Sequence, residues 1–256
     1  LTIKSIIMAK LGGILKIEGT LDGMTFYKTK DGHLVRTKGG VSKDRIQNDP
    51  AFVRTRENGA EFGASASAGK LLRTSIRNLL MKAKDARVAS RLTQAMTKIK
   101  NLDSTSDRGE RKVSIGLATT EGKEILKGFN FNNQAIIGSV LFAPYSIDPA
   151  TGEITLTDLN PMNDIAYPSG ATHVSLTSAY AKVDFDTGEN SIEISPAVNI
   201  PIDNTTATQS LIPPAVPSGT GFDFMLILIE FYQEVNGSQY SLNNGAYNVL
   251  SVVEVA

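Results

Sequence analysis

Apolar residues recur every three or four positions through most of residues 50–102, and every second position beyond about residue 134. Helices and strands bury faces of different repeat, so a chain that changes its hydrophobic period must change its secondary structure. The basic residues run out near the same place. Residues 1–112 hold 23 of the 26 Lys and Arg against 11 of the 26 Asp and Glu, whereas residues 113–256 hold 3 basic and 15 acidic residues. A formal charge of zero thus hides two halves of net +12 and −12. Such a split points to two modules with different partners, or to modules that partner each other.

Residues 13–38 read as a small β-meander. Leu15 and Ile17 alternate, as do Met24 and Phe26, then His33 and Val35. Asp22-Gly23 and Asp31-Gly32 fall between the runs, where a hairpin needs residues that tolerate positive φ. Gly39-Gly40 lets the chain change direction. Asp49 then reads as a helix N-cap with Pro50 at the first helical position. The helix beginning near Phe52 is interrupted by Gly59, Gly63 and Gly69, each costing about 1 kcal/mol relative to alanine. Either it breaks there or it packs closely on a neighbour. Leu72, Ile76, Leu79 and Leu80 continue the stripe to Met81. A second helix begins at Asp85, with Val88, Leu92, Ala95, Met96, Ile99 and Leu102 at helical spacing.

Residues 103–112 are polar throughout and read as a linker or exposed loop. A short helical piece at Thr120 to Leu126 follows. Strands are expected at 134–142, 153–157, 173–178, 181–185, 191–195, 222–234 and 247–256, with one long Pro-rich connection from Pro196 to Gly221. Seven short strands match an antiparallel sandwich of immunoglobulin-like size. The run from Phe222 to Phe231 is apolar on both alternating faces and should be central. Two similar turns, Asp148-Pro-Ala-Thr-Gly-Glu and Asp184-Phe-Asp-Thr-Gly-Glu, echo each other between strands. The expected architecture is therefore α+β in two parts. A basic α+β domain spans 1–112, with the meander at 13–38 and helices over about 50–102. A linker spans 113–133, and an acidic immunoglobulin-like β-sandwich spans 134–256.

The chain has no cysteine, which removes disulfides, thiolate nucleophiles and Cys-type zinc sites. The run Met8-Ala9-Lys10 reads as an ordinary start preceded by a literal non-standard one or a processed terminus. The apolar pieces near Ile6-Ile7 are too short for a signal-peptide core. No window approaches the roughly 18 apolar residues of a membrane helix. These features are those expected of a soluble, cytoplasmic protein.

Candidate chemistry is sparse. Lys70, Arg73 and Arg77 share a helical face, and Lys84, Arg87 and Arg91 repeat that spacing on the next helix. Arg36 and Lys38 at the end of the meander extend the set. Such stripes follow a phosphate backbone, meet an acidic protein, or simply face solvent. Glu57 and Glu61 beside Arg54 and Arg56 read as intrahelical partners more simply than as a catalytic carboxylate pair. The cluster Asp184, Asp186, Glu189, Asn190 resembles a calcium loop without its twelve-residue spacing, and reads as a turn. His33 and His173 have no second His at i+3 or i+4 to begin a metal site. No Walker loop, dinucleotide fingerprint or nucleophile elbow is present, although Gly59 and Gly63 have the spacing of closely packed helices. No catalytic residue, cofactor, metal or small-molecule substrate is therefore expected.

The stretch Gly19-Thr-Leu-Asp-Gly-Met-Thr-Phe-Tyr-Lys, continued by Asn48-Asp-Pro-Ala-Phe-Val-Arg-Thr-Arg-Glu-Asn, resembles the N-terminal region of a family of uncharacterised proteins common in Bacteroidetes. In that family a Gly-rich Thr-Phe-Tyr-Lys hairpin precedes an Arg-containing helix and a β-rich C-terminal half. The resemblance covers residues 13–60. It implies a bacterial origin and the two-part layout, and it brings no activity, cofactor or catalytic residue. The expected function is that of a non-enzymatic interaction or self-assembling structural protein. Its basic module would dock on an acidic partner or on another copy; nucleic-acid binding through the basic helices is the alternative.

Overall fold

A computed structural model describes residues 8–10, 17–30, 32–37, 40–83 and 85–256. Leu15, Asp31, Lys38, Gly39 and Lys84, named above for the meander and the basic set, lie outside these. The chain divides into two compact units, Leu1–Arg56 and Glu57–Ala256.

The first unit is an antiparallel sheet of β1 (Met8–Lys10), β2 (Gly19–Leu21), β3 (Met24–Thr29) and β4 (Gly32–Thr37), in the order β1-β4-β3-β2. Asp22 and Gly23 join β2 to β3 with φ of 45° and 77°, the paired left-handed conformation that a two-residue hairpin requires. Helix α1 (Lys43–Asn48) starts where the Ser42 side chain accepts from the Arg45 N–H. Asp49 then caps a 3₁₀ turn at Pro50–Phe52 by accepting from the Ala51 N–H. Arg56 donates to the carbonyls of Ile46 and Asp49, tying that turn to α1. Where burial is described in this unit, from residue 17 onward, no side chain is buried. Of the meander expected at 13–38, the described residues form β2, β3 and β4.

The division between units falls in the first turn of α2 (Val53–Ser75). This helix does not break at its glycines. Gly59 and Gly63 face open space, and only Gly69 lies against a neighbouring helix, near Leu92. The helical run ends at Ile76, followed by α3 (Arg77–Leu80), α4 (Val88–Lys100), α5 (Val113–Leu117), α6 (Thr120–Leu126) and the short α7 (Ile137–Val140). Then come β5 (Tyr145–Ile147), β6 (Ile154–Leu159), α8 (Pro161–Asp164), β7 (His173–Val183), β8 (Asn190–Ile194), β9 (Val198–Pro201) and β10 (Ala207–Leu211). The long β11 (Phe222–Val235), β12 (Ser238–Ser241) and β13 (Val249–Val255) complete the chain.

Strands β7 and β11 pair antiparallel over the full length of β7 and form the centre of a curled six-stranded sheet. β12 and β13 share the outer edge of β11, and β8 and β9 share that of β7. A second antiparallel sheet has the order β10-β6-β5. Alternation along β11 divides its side chains between two cores. Phe224, Leu226 and Leu228 pack with Leu72, Leu92, Met96 and Ile99 of the helices. Met225, Ile227 and Ile229 pack with Ile154, Leu156 and Leu211 of the second sheet. Each such side chain contributes about 1.5–3 kcal/mol on burial, so neither layer is dispensable.

This packing moves the expected domain boundary. Residues 113–133 are not a linker: Leu117, Leu126 and Phe131 are fully buried between helices and sheet. The apolar stripe of α2 and α4 and the second apolar face of the sheet cover one another, so one unit spans 57–256. The fold is mixed, with helices and antiparallel sheet, and the helices cover a face that a free-standing sandwich would leave to solvent. Residues 134–142 form a loop and α7 where a strand was expected; a short apolar run does not distinguish the two. The strands expected at 173–178 and 181–185 are the single β7, and the Pro-rich connection contains β9 and β10. Among the described residues, no helix is long and apolar enough to cross a membrane.

Candidate interaction groove

The last turns of α2, α3 and the start of α4 bring Lys70, Arg73 and Arg77 together around a groove of about 360 Å³, with Thr74, Leu80, Met81 and Val88 completing its walls. The spacing of three and four places the cations on one side, and the apolar stripe of the same helix turns into the core. Lys70 and Arg77 are exposed, and Arg73 is half-buried with its Nε donating to the Gly69 carbonyl at 3.1 Å. None of the three has an ion-pair partner among the described residues. Met81, at 66% exposure, offers an apolar contact beside them.

Several other cations of the helical layer are engaged. Lys82 reaches buried Glu230 at 2.9 Å, and Lys112 reaches Asp186 at 3.4 Å, joining basic helices to acidic strands. The Tyr232 hydroxyl donates to Glu230; burial first, then the Glu230 charge, pushes that phenol up to about 12. Arg108 pairs with Glu57, and Lys100 with Glu61. Opposite charge is therefore satisfied in part within the chain.

Of the expected contact set, Arg91 is withdrawn from any partner. Its guanidinium pairs with Asp85, donates to the carbonyls of Asn130 and Phe131, and lies 5.2 Å from the Phe129 ring centre. It pins α4 to the chain that leads into the sheet. Arg87 is exposed at the head of α4. Arg36 belongs to the N-terminal sheet, where it lies over Tyr27 at 5.5 Å. Lys38 and Lys84 lie outside the described residues.

Glu57 and Glu61 do not form a carboxylate pair, since each holds its own cation. The Asp184 carboxylate accepts from the N–H groups of Asp186 and Thr187 and from the Thr220 hydroxyl, which holds a turn. His33 is half-buried and its Nδ1 has no partner among the described residues, and His173 bonds Thr172 and lies 3.5 Å from Glu234. Among the described residues no group of His, Cys, Asp or Glu is placed to hold a metal ion.

One buried group was not anticipated. Asp103, in the segment expected to be an exposed loop, is 1% exposed and accepts from the N–H groups of Thr105, Ser106 and Lys112 and from the Thr105 hydroxyl. Burial pushes its carboxyl up, but these donors outweigh it and hold the group far below the usual carboxylate range. The signal was present as Asp followed two and three residues later by Thr and Ser, the pattern of a side chain closing its own turn. A depressed folded-state pKa gives stability that is complete above the unfolded value near 4 and is lost as pH falls below it. Urea unfolding at pH 7 and pH 3 should therefore show a loss of stability in acid. Asp103→Asn should be less stable at pH 7 and show a smaller drop; an equal drop would assign the acid loss to other carboxylates.

A comparison of the chain with protein-family models, with curated proteins and with solved structures returns no match in any of the three.

Proposed function

We propose that this is a non-enzymatic interaction and assembly protein whose cationic groove docks an acidic protein surface. The observation that carries the reading is the set Lys70, Arg73 and Arg77, which have no ion-pair partner among the described residues and gather around a groove with Leu80, Met81 and Val88 in its walls, whereas Lys82, next in sequence to Met81, is paired with Glu230. An acidic surface with an apolar side chain at its centre fits both properties. The nucleic-acid alternative is weakened by the internal engagement of Arg91, which takes one cation out of the second stripe. Two antiparallel sheets facing each other across an apolar layer support the finer reading of the strands as an immunoglobulin-like sandwich onto which helices have docked. A cytoplasmic location and a bacterial origin belong to the same proposal.

Fluorescence anisotropy with labelled poly-glutamate and labelled duplex DNA tests it. At low salt the wild type should bind poly-glutamate, and Lys70→Glu/Arg73→Glu/Arg77→Glu should weaken this by about tenfold or more. Binding should also weaken as salt screens the contact. Equal binding by the triple variant, or tighter binding of DNA than of the polypeptide, would overturn the reading.

A further inference from the structure

Where burial is described, from residue 17 onward, the N-terminal unit has no buried side chain. A sheet of three- to six-residue strands requires an apolar face covered by a second layer. The register pairs Leu21 with Met24, and Phe26 with Val35, so these four share one face. Thr25, Tyr27, Leu34 and Arg36 share the other, where Arg36 covers Tyr27. On the first face Phe26 and Val35 are only half-buried, while Leu21 and Met24 are 57% and 41% exposed. An apolar face so open on a small module marks a docking surface.

Charge indicates the occupant. The N-terminal unit, residues 1–56, carries 11 basic and 5 acidic residues, and the unit from 57 onward carries 15 basic and 21 acidic, so the net charges are equal and opposite. The larger unit is acidic over its C-terminal part. From 128 to 256 it has 13 acidic residues and one basic, Lys182. Within that region Phe142, Met162 and Tyr167 are exposed on adjoining backbone around α7 and α8. The Phe142 N–H donates to the Asp164 carbonyl at 2.8 Å, Leu141 bridges Ile165, and the Met162 N–H donates to the Asp203 carbonyl. Three apolar side chains therefore stand on backbone tied to Asp164 and Asp203, an apolar and acidic counterpart to an apolar face on a basic module.

We propose that the apolar face of the N-terminal sheet in one copy docks on the α7–α8 patch of the next copy, head to tail. This rests on the assembly reading and names the surfaces that carry it. Two different patches in contact make a heterologous interface, which continues into a ring or filament instead of closing at two copies.

Two full-length variants test the proposal by light scattering after size exclusion, with circular dichroism confirming the fold. Leu21→Asp/Met24→Asp removes the face, and Phe142→Asp/Met162→Asp removes the patch; all four side chains are exposed, so the fold should persist. If either variant misfolds, the corresponding Asn substitutions replace it. Wild type should form multimers and each variant alone should be monomeric. An equal mixture should stop at two chains, because only one intact face and one intact patch remain. Variants that keep the wild-type mass, or a mixture that stays monomeric, overturn this assignment while leaving assembly itself standing. A wild type that is monomeric at every concentration and salt overturns both.

Discussion

Glu61→Ala should lower unfolding stability by about 3–5 kcal/mol, the usual cost of removing one partner from a buried ion pair. Glu61 and Lys100 are buried between α2 and α4, with the Lys100 ammonium on one carboxylate oxygen. The Gly109 N–H donates to the other at 2.8 Å. Truncation leaves a buried cation and an orphaned N–H, and it removes one of the ties between the 103–112 segment and α2. Lys100 is the main reason the Glu61 carboxyl is held below its usual range, ahead of the opposing effect of burial. Urea unfolding at pH 7 reads the loss. Glu61→Met/Lys100→Met should recover most of it, since replacing both charges with apolar groups of similar volume is often close to neutral. A single variant within about 1 kcal/mol of wild type would mean that the pair is solvated and holds nothing.

Gly116→Ala should cost about 3 kcal/mol or more, although it adds one methyl group. A Cβ at Gly116 would overlap the Ile99 carbonyl of α4, and one at Gly122 would overlap the Gly116 carbonyl. These two contacts stack α4, α5 and α6 backbone to backbone, with no flexible side chain between them to yield. α5 would have to withdraw from α4 and expose Leu117 and Ile99. For a unit of this size, a fall in melting temperature of about 6–12 °C follows. Gly63→Ala makes the opposite case. It faces open space in the middle of α2, so alanine should stabilise by about 0.5–1 kcal/mol. A small effect at Gly116 would show that α5 is loosely packed.

Local signals were legible where they were chemical. Asp22-Gly23 specified its hairpin, Asp49-Pro50 its cap, and the spacing of Val88 to Ile99 the buried stripe of α4. The two-faced apolar pattern of Phe222 to Phe231 correctly marked a central strand. What the sequence could not convey was what those faces meet. A helix with one apolar stripe and a sheet with two apolar faces can each belong to separate domains, and only packing shows that they cover one another. The change of charge at residue 113 suggested a boundary, yet Lys82–Glu230 and Lys112–Asp186 bridge across it. Continuous apolar runs failed for a related reason: Ala135 to Leu141 lacks the length to separate a strand from a turn of helix.

The groove was legible only in part. Its three cations followed from helical spacing, but the same spacing equally nominated Arg91, whose guanidinium is used internally. A cation's availability depends on carbonyls and carboxylates distant in sequence, here Asn130 and Phe131, nearly 40 residues away. Charge patterning thus nominates surfaces, and tertiary hydrogen bonding selects among them.

The most direct test of an assembly role is the mass of the purified, nuclease-treated wild type by light scattering, in 50 mM and in 500 mM salt. Contacts between basic and acidic surfaces weaken as the screening length shrinks. The account predicts multimers at low salt that shift toward monomer at high salt, with an absorbance spectrum free of nucleic acid. A monomer of 27.4 kDa at every concentration and both salts would contradict it.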